Sequence, residues 1–581
     1  MFKKLLFLFI FTIAISEDFS DGPYGSEYFN IAGPFSLPDL NLELYGDANI
    51  DGIINIQDVI LLVGNILGNN SFTEDQSTQA DANSDGIIDI LDIVEVVNGI
   101  LNAEDPLWSF QDQWTGNDSY IFINYEPSVS YSTALWGSST KDQLLEISPS
   151  NVHYFFISNR SQYTSDIEYL KSTFDEILME LSEEEQNHWK NHLHFINART
   201  SELDSWLSDA LPGKKALSID CFQRIREVGY LGNPANFTGT YIHYLAHEAL
   251  YFNYERNVFN SSNQSSYDEI VVFDETVYTG GWAAMLPTVV ELPSNDILDG
   301  YSKLEVELLR GCPDADGNYS DDGCDDYDTQ AHLYLCDEDG LNCLEIARWI
   351  TPFDRQPHHL TDITPFISSL RPGGNKTFKF QESGWPNSLI TLKLRLHHGI
   401  PEQGSPKEIY PIWNGTVQFN PSYSDNRPPQ VFTVPENATK VEFVAYITGH
   451  GWGAAGCFNC CEFCNSRHIF EVNGGVHTFN KDFPNAGGSN YCMQPETIVQ
   501  GVIPNQGGTW GYGRAGWCAG MDIHPYITDL TDYIIVGEEN IIDYSACRVS
   551  GNNCVTPPTC AGNSNEYCPE MAFSSYIVIS Y

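Results

Sequence analysis

Two acidic loops braced by cysteines, far apart in the chain, carry the residues of this sequence best suited to chemistry. The segment 312–324 begins and ends with cysteine and continues as Asp-Asp-Tyr-Asp328, and the segment Cys460–Cys464 holds Glu462 between its cysteines. A disulfide across so short a loop would fix the backbone that carries the acid, and hydrolases hold acid and base groups at reaction distance. The same spacing is also typical of secreted β-proteins that staple loops for stability alone.

The framework under these loops is predicted to be β-structure. Beyond Tyr267, alternating stretches such as Lys303-Leu-Glu-Val-Glu-Leu-Leu and Lys440-Val-Glu-Phe-Val-Ala-Tyr-Ile are separated by Gly, Pro and Asn clusters. Regular short strands with aromatic content indicate all-β sandwiches, and this part of the chain is long enough for two of them. Pro428-Pro429 marks a boundary between them, so we predict two adjacent all-β sandwiches, over residues 266–430 and 431–581.

A different composition precedes the sandwiches, over residues 106–265. Buried strands are predicted at 120–125 and 152–158, and helices at 165–180 and 183–197. This alternation predicts an α/β middle domain, whose role the sequence does not indicate. His243 and His247 are one helical turn apart and could hold zinc, but no third ligand is evident and a structural role is favoured.

A repeat near the N-terminus indicates calcium binding. Asp-Ala-Asn-x-Asp-Gly-Ile-Ile-x-Ile-x-Asp begins at Asp47 and again 34 residues later at Asp81. Each copy places oxygen ligands at loop positions 1, 3, 5, 9 and 12, a backbone carbonyl at 7 and a glycine at the sharp turn. The predicted ligands are Asp47, Asn49, Asp51, Ile53, Asn55 and Asp58, and Asp81, Asn83, Asp85, Ile87, Asp89 and Asp92. We expect calcium in this module.

This region, residues 40–103, resembles a type I dockerin, with Asp in place of Glu at position 12 of each loop. The resemblance implies a small α-helical module that docks onto a cohesin module or packs against a neighbouring domain. Two departures bear on that partner. The module lies near the N-terminus, and the helix-entry positions used for cohesin contact are Ile56-Gln57 and Ile90-Leu91 here.

The start of the chain and its charge indicate the compartment and exclude some partners. Residues 1–16 carry two lysines followed by an apolar run, so a secretory signal peptide is expected. No later stretch is apolar enough to span a bilayer, and fifteen cysteines fit an oxidising destination. The protein is therefore expected to be secreted, in the medium or at a cell surface through the dockerin-like module. A net charge of −50 argues against nucleic acid and anionic lipid as partners.

Several motifs in the C-terminal half occur in an order that points to a family. They are Cys324-Asp-Asp-Tyr-Asp328, Glu345-Ile-Ala-Arg-Trp-Ile-Thr-Pro352, Thr448-Gly-His-Gly-Trp452-Gly, Cys460-Cys-Glu462-Phe-Cys464 and Gly513-Arg514-Ala-Gly-Trp517-Cys518. Together they resemble the peptide-N-glycosidase F family of peptide-N4-(N-acetyl-β-glucosaminyl)asparagine amidases. The resemblance covers roughly Tyr267 to Tyr581 and implies two adjacent jelly rolls and hydrolysis of N-glycan linkages.

The resemblance also implies roles for particular residues. Asp328, Glu462 and Glu382 match the family's catalytic acids, and Arg514, Trp517, Trp385 and Trp452 match its substrate surroundings. No cofactor is implied for catalysis. The implied disulfides are Cys312 with Cys324, Cys460 with Cys464 and Cys492 with Cys518. Cys336 with Cys343 is a plausible clip between strand ends, while the pairing of Cys457, Cys461 and the tail cysteines stays open.

The chemistry fits these residues, with one departure from the family. Cleaving the amide between Asn and N-acetylglucosamine needs an activated water, a stabilised oxyanion and a protonated leaving nitrogen. Because carboxylates in one cleft cannot all ionise cheaply, one can act as an acid while Asp328 stays a base or orients the water. The resemblance implies Arg after this Asp, whereas Thr329 follows here, so a substrate or carboxylate contact is lost or supplied elsewhere.

Two other functions remain open from the sequence. Paired sandwiches could bind N-glycosylated proteins without cleaving them, and mass spectrometry of a treated glycopeptide would separate binding from hydrolysis. A copper monooxygenase is a weaker alternative, based on the adjacent pairs His358-His359 and His397-His398. Such copper sites also need a soft or third imidazole ligand, which the sequence does not identify in this half of the chain.

Overall fold

A computed structural model of the 581-residue chain describes residues 18–41, 46–50, 54–83, 85–102, 107–203, 205–234, 238–279, 281, 284–312, 324–382, 387–400, 404–451, 457–560 and 568–581. The predicted signal peptide, the calcium ligands Asp51 and Ile53, and the site residues Trp385 and Trp452 lie outside these ranges. The chain forms two compact units, residues 1–228 with 240–249 and residues 229–239 with 250–581. Among the described residues, no helix combines the length and apolarity needed to cross a membrane.

Three helices accompany the two calcium-type loops of the first unit: α1 (Ile56–Ile66), α2 (Glu74–Ala80) and α3 (Ile90–Asn102). Helix α1 begins with Asn55, whose side chain accepts a hydrogen bond from a backbone N–H of the first turn. The core is small and contains Leu62 of α1 and Val96 of α3. A core of this size is supplemented by metal ligation in many small modules.

The rest of the first unit is α/β, as predicted. Strands β1 (Ser36–Leu37) and β2 (Trp108–Ser109) pair with each other, and a five-stranded sheet has the order β5-β4-β3-β6-β7. Its strands are β3 (Ser119–Tyr125), β4 (Val152–Ser158), β5 (Leu193–Phe195), β6 (Ala216–Ile219) and β7 (Ile225–Glu227). The helices of this unit are α4 (Ser132–Trp136), α5 (Lys141–Ile147), α6 (Tyr163–Leu178), α7 (Glu183–Lys190) and α8 (Leu207–Ala210).

The predicted helix over 183–197 is wrong in its second half. Helix α7 ends at Lys190, and β5 then pairs in parallel with β4. All three residues of β5 are buried, so pairing at the sheet edge and burial outweigh the helical spacing of the segment.

Helix α9 (Leu245–Asn263) precedes the first sandwich, which consists of two four-stranded antiparallel sheets. One sheet, in the order β13-β10-β15-β8, contains β8 (Tyr267–Tyr278), β10 (Tyr301–Gly311), β13 (His358–Asp362) and β15 (Ser388–His398). The other, in the order β12-β11-β14-β9, contains β9 (Met285–Leu292), β11 (Gln330–Cys336), β12 (Leu344–Ile350) and β14 (Gly374–Gln381). A short helix, α10 (Asn295–Leu298), connects β9 to β10. Alternate residues of β11 are buried, as expected for a strand with one face on the core.

The second sandwich also contains two sheets. One contains β16 (Pro406–Pro411), β17 (Thr416–Gln418), β19 (Lys440–His450), β22 (Tyr526–Asp529) and β25 (Glu570–Ser580). The other contains β18 (Gln430–Thr433), β20 (Ser466–Val472), β21 (His477–Phe483), β23 (Glu539–Ser550) and β24 (Asn553–Val555), and the short helix α11 (Pro495–Ile498) lies between β21 and β22. Strands β16 and β17 lie before the predicted division at residue 430, and both pair with β25.

Candidate functional site

Both predicted acidic loops are closed by disulfides, and each presents its acid beside a strand. Cys312 pairs with Cys324, and Asp328 follows four residues later, just before β11 begins. Cys460 pairs with Cys464 around Glu462, in the connection between β19 and β20. One acid is therefore delivered by the first sandwich and the other by the second.

Arg514 brings these two acids together. Its Nη2 lies 3.0 Å from Oδ2 of Asp328, and its Nε donates to Oε1 of Glu462 at 3.2 Å. The contact with Asp328 is an ion pair rather than an aligned hydrogen bond, since Oδ2 has no hydrogen-bond partner of good geometry. Three residues singled out from the sequence thus form one cluster, in which two carboxyl groups share a single guanidinium.

The remaining donors of Arg514 are also engaged. Nη1 donates to the backbone carbonyls of Thr509 at 3.2 Å and Tyr512 at 2.8 Å, and Nη2 donates to the hydroxyl of Thr509 at 3.1 Å. A guanidinium has five N–H donors, so this network fixes its position and its plane. Arg514 can therefore offset the carboxylate charge, but it would have to break existing bonds to reach a substrate carbonyl.

Burial sets the protonation of the pair. The side chains of Asp328 and Glu462 are only 14% and 13% exposed. Burial raises the pKa of the Glu462 carboxyl to about 7, with a further rise from the nearby Asp328 charge, against the lowering effect of Arg514. Burial also raises the pKa of Asp328, again opposed by Arg514. One carboxyl can thus stay protonated near neutral pH beside an ionised partner, as acid–base catalysis requires.

Glu382 occupies a different environment. Its side chain is fully buried, its Oε2 accepts from Nε of Arg310 at 2.8 Å, and its Oε1 accepts from the hydroxyl of Ser388. The hydroxyl of Tyr278 bonds to its backbone carbonyl at 2.9 Å. These described contacts do not include Asp328 or Glu462, and they give Glu382 the surroundings of a structural ion pair inside the first sandwich.

The aromatic surroundings differ from what the sequence predicts. Trp517 is only 5% exposed, and its Nε1 donates to the carbonyl of Gly449 at 2.8 Å. The guanidinium of Arg514 lies 4.8 Å from its ring centroid, within the range of a cation–π contact. Trp517 therefore supports Arg514 and offers little surface to a sugar. Tyr327, next to Asp328, is by contrast 69% exposed.

Sequence reasoning missed three residues near the cluster. The rings of Phe463 and Phe353 lie 5.3 and 5.9 Å from the Arg514 guanidinium. The position of Phe463 beside the cysteine-flanked Glu was a visible signal in the sequence, whereas nothing in the sequence singled out Phe353.

Asp354 is a further acid near the segment that leads to Asp328, since its backbone N–H donates to the carbonyl of Asp325. Burial, with the nearby Asp326 and Asp325, raises the pKa of Asp354 to about 6.

The histidine pairs considered for copper do not converge. Nε2 of His358 lies 2.7 Å from Oε1 of Glu307, and Nε2 of His397 lies 2.7 Å from Oε2 of Glu305. His358 and His397 therefore each pair with a different glutamate of β10. In the first unit, Nδ1 of His243 lies 2.9 Å from the hydroxyl of Thr140.

The two calcium-type loops close in the same way. Asp58 is fully buried, and its carboxylate accepts from the backbone N–H groups of Asn49 at 3.2 Å and Asn55 at 2.8 Å. Asp92 is also fully buried and accepts from the matching groups, Asn83 at 3.2 Å and Asp89 at 2.7 Å. The oxygen donors fit a hard cation such as calcium.

Within the ranges that the structure describes, no three His, Cys, Asp or Glu side chains are close enough together to hold a metal ion. The case for calcium therefore rests on the donor chemistry and the loop pattern, and not on a preassembled cage. A preformed site is not required, because metal binding and folding are commonly coupled.

Comparison with known proteins confirms both resemblances. Residues 418–578 match the family described as peptide-N-glycosidase F, C terminal, and residues 45–101 match the dockerin type I domain. Peptide-N(4)-(N-acetyl-beta-D-glucosaminyl)asparagine amidase F of Elizabethkingia miricola is 26% identical over 241 residues, or 38% of this chain. The match spans 63% of the length of that relative.

Two solved structures are similar to parts of this chain. The three-dimensional structure of PNGase F, a glycosylasparaginase from Flavobacterium meningosepticum, is 20% identical, with a TM-score of 0.39, over 54% of this chain and 96% of that chain. The structure of PNGF-II in space group C2 is 14% identical, with a TM-score of 0.40, over 63% of this chain and 73% of that chain.

Proposed function

We propose that this protein is a glycopeptide amidase that hydrolyses the amide between Asn and the first N-acetylglucosamine of N-glycans. The products are Asp in the peptide and a glycosylamine. The observation that carries the proposal is the cluster of Asp328, Glu462 and Arg514, in which acids from separate sandwiches share one cation. The similarity to peptide-N-glycosidase F over residues 418–578 supports it.

The cluster has the groups that the reaction needs. Asp328, next to the Arg514 cation, is assigned to orient the attacking water and take its proton. Glu462, with its pKa raised to about 7, is assigned to supply a proton to the leaving nitrogen. Arg514 keeps one of the two carboxyl groups ionised by offsetting its charge. Glu382 is proposed as a supporting acid, acting through its ion pair with Arg310 rather than through contact with the reacting bond.

The substrate surroundings are proposed to include indole faces. Trp385 and Trp452 are the candidates for stacking on sugar rings, as in many carbohydrate sites. Trp517 would act through Arg514, because its own ring is buried.

The N-terminal module is proposed to bind calcium and to attach the enzyme to a cohesin module or to another domain of the same protein. The dockerin type I match over residues 45–101 supports this proposal. Export from the cell fits both the dockerin match and the disulfides, which form in oxidising compartments. In this arrangement the amidase would act outside the cell or at its surface.

Mass spectrometry of a denatured N-glycopeptide, incubated in heavy-oxygen water, tests the amidase. Hydrolysis predicts loss of the glycan, conversion of Asn to Asp and incorporation of one heavy oxygen atom into the new carboxyl. Retention of the intact glycopeptide by an affinity column without conversion would favour a glycan-binding protein and overturn the proposal. Asp328→Asn is the negative control, and Asp425→Asn, at an exposed position, is the matched variant.

A further inference from the structure

A chain of contacts leads from the interior of the second unit to the proposed catalytic cluster. Its inner end is the ion pair of Glu345 and Arg348 on β12. Nε and Nη2 of Arg348 donate to Oε1 and Oε2 of Glu345 at 2.7 and 2.8 Å. Arg348 is 1% exposed and Glu345 is 4% exposed, so the pair is buried. Such a bidentate pair holds its guanidinium in a fixed plane.

The same guanidinium extends to the second sandwich. Nη1 of Arg348 donates to the hydroxyl of Thr448 at 2.8 Å and to the carbonyl of Ala572 at 3.0 Å. The hydroxyl of Thr448 lies 2.8 Å from Nε2 of His450, two residues further along β19. A cation of the first sandwich is therefore one hydroxyl away from an imidazole of the second.

This arrangement selects one tautomer of His450. The guanidinium of Arg348 can only donate, so it occupies one acceptor position of the Thr448 oxygen. Thr448 is fully buried, and among its described contacts Nε2 of His450 can accept its hydroxyl hydrogen. On this hydrogen-bond pattern the ring proton is assigned to Nδ1.

The charges around His450 keep it neutral. Burial is the main cause of a pKa well below its ordinary value of 6.5, and Arg348, His332 and Arg514 lower the pKa further. Its cross-strand neighbour on β25 is Glu570. A neutral ring at this position can pack closely on other aromatic groups without repelling the nearby cations.

His450 packs against the residue that supports Arg514. Its ring stacks on Trp517 with the centroids 5.1 Å apart and the planes at 24°. Trp517 also contacts the Arg514 guanidinium at 4.8 Å, and the backbone N–H of Arg514 donates to the carbonyl of Trp517 at 3.1 Å. A change in the His450 ring is therefore transmitted to Arg514 through one buried indole.

We infer that His450 is a positioning residue: the hydrogen bond with Thr448 holds its ring, the ring packs on Trp517, and Trp517 packs on the guanidinium that joins Asp328 and Glu462. The importance of this role for catalysis rests on the proposed amidase function. The geometric part of the inference, that His450 sets the position of Arg514, does not depend on that function.

Titration of the Glu462 side-chain carboxyl by carbon NMR in the full chain tests this role without any substrate. His450→Gln removes the ring that packs on Trp517, so Arg514 keeps its hydrogen bonds but loses part of its packing, and it lowers the pKa of Glu462 less. We expect this pKa to rise by about one unit, as for partial loss of a neighbouring opposite charge. His450→Phe keeps a stacked ring but loses the hydrogen bond with Thr448, so the pKa of Glu462 should rise less than in His450→Gln. His477→Gln, which instead removes a ring stacked on Tyr533, is the matched control.

A folded His450→Gln protein in which Glu462 titrates as in the wild type would overturn the inference. If that variant does not fold, Thr448→Val replaces it. This change keeps the ring but removes its hydrogen bond, so an upward shift of the size expected for His450→Phe should be seen, while no shift overturns the inference.

Kinetics separates this inference from the proposed function. If the wild type is an amidase, His450→Gln should lower kcat more than it raises KM and should move the alkaline limb of the pH–rate profile, where Glu462 loses its proton, to higher pH. The absence of amidase activity in the wild-type protein would refute the proposed function. The titration would then still decide whether His450 positions Arg514.

Discussion

Thr329 and Thr351 are joined by three hydrogen bonds immediately beside Asp328, one of them between the two hydroxyl groups at 3.1 Å. The backbone N–H of Thr351 donates to the carbonyl of Thr329 at 2.8 Å, and the backbone N–H of Thr329 donates to the hydroxyl of Thr351 at 2.8 Å. Thr329 is 8% exposed, so it does not take over the substrate contact of the Arg found at this position in the family. It fixes the backbone that carries Asp328 instead.

We therefore expect Thr351→Val to reduce activity through Asp328. The change leaves the N–H of Thr329 without its acceptor in a buried position, which costs about 1–3 kcal/mol. A shift of Asp328 by a fraction of an ångström should lower kcat by roughly tenfold or more, because misplaced catalytic groups lose rate steeply. Steady-state kinetics on a glycopeptide and thermal unfolding measure the two effects. Thr433→Val, at an exposed strand end, is the control and should change neither.

The two acids should differ in how they affect the rate. Asp328→Asn keeps the size of the side chain but removes the base, so kcat should fall by about 10²- to 10⁴-fold, the usual worth of a general base. Glu462→Gln should also lower kcat, and it should remove the limb of the pH–rate profile that reports a group near pH 7. Rates measured by mass spectrometry from pH 4 to 9 test both. Wild-type rates in Asp328→Asn would refute the role of that residue.

The same Glu462 should make the protein less stable as the pH rises. Its pKa is about 7 in the folded protein and close to 4.5 when unfolded, so between these values the folded state binds more protons. The free energy of unfolding therefore falls as the pH rises through this window, and the penalty is complete above pH 7. Glu462→Gln removes the ionisable carboxyl and therefore this pH-dependent loss of stability.

Denaturant unfolding at pH 4 and pH 8 measures this effect. Between pH 4 and pH 8, the free energy of unfolding of Glu462→Gln should rise by about 1–3 kcal/mol relative to that of the wild type, since one pKa unit corresponds to about 1.4 kcal/mol. Glu539→Gln, at an exposed position, is the matched control. A stability difference between Glu462→Gln and the wild type that does not change with pH would contradict the assigned protonation.

The sequence predicts the pieces of the site better than their assembly. Cysteine spacing and strand periodicity are local, so the braced loops around Asp328 and Glu462 and the sandwiches are predictable from the residues. Asp328 and Arg514, which form an ion pair in the site, are 186 positions apart in the chain. No local sequence pattern predicts a contact between residues so far apart.

Burial is the other property that the sequence does not reveal. Trp517 and Glu382 have the residue types of a sugar platform and a catalytic acid, but both are almost entirely buried. Residue type cannot distinguish an indole that faces a ligand from one that supports an arginine. The role of Thr329 was hidden for the same reason, since its partner Thr351 is brought alongside by the pairing of β11 with β12.

Calcium should stabilise the N-terminal module in the full chain. The loops place oxygen donors at matching positions, and Asp58 and Asp92 tie each loop closed. We expect isothermal titration to show calcium uptake and circular dichroism to show more helix when calcium is added, with reversal by a chelator. Asp58→Ala and Asp92→Ala should each abolish one binding event. Two intact binding events in both variants would contradict the ligand assignment.

Replacing Arg514 by Lys should be far from conservative. The guanidinium uses Nε for Glu462, Nη2 for Asp328 and Thr509, and Nη1 for two backbone carbonyls, and an ammonium group cannot reproduce this planar set. Leaving buried carboxylates and carbonyls without their partner should cost about 3–5 kcal/mol. Activity should be lost as well, because both acids lose the cation that sets their charge.

Arg467→Lys is the matched control for this change. Arg467 also makes a bidentate pair, with Asp482, but both side chains are more than a third exposed. Surface pairs contribute only about 0–1 kcal/mol, so this variant should unfold and react like the wild type. Thermal unfolding and glycopeptide kinetics on both proteins test the contrast. If Arg514→Lys matched Arg467→Lys in stability and in rate, Arg514 would not be the residue that holds the two acids together.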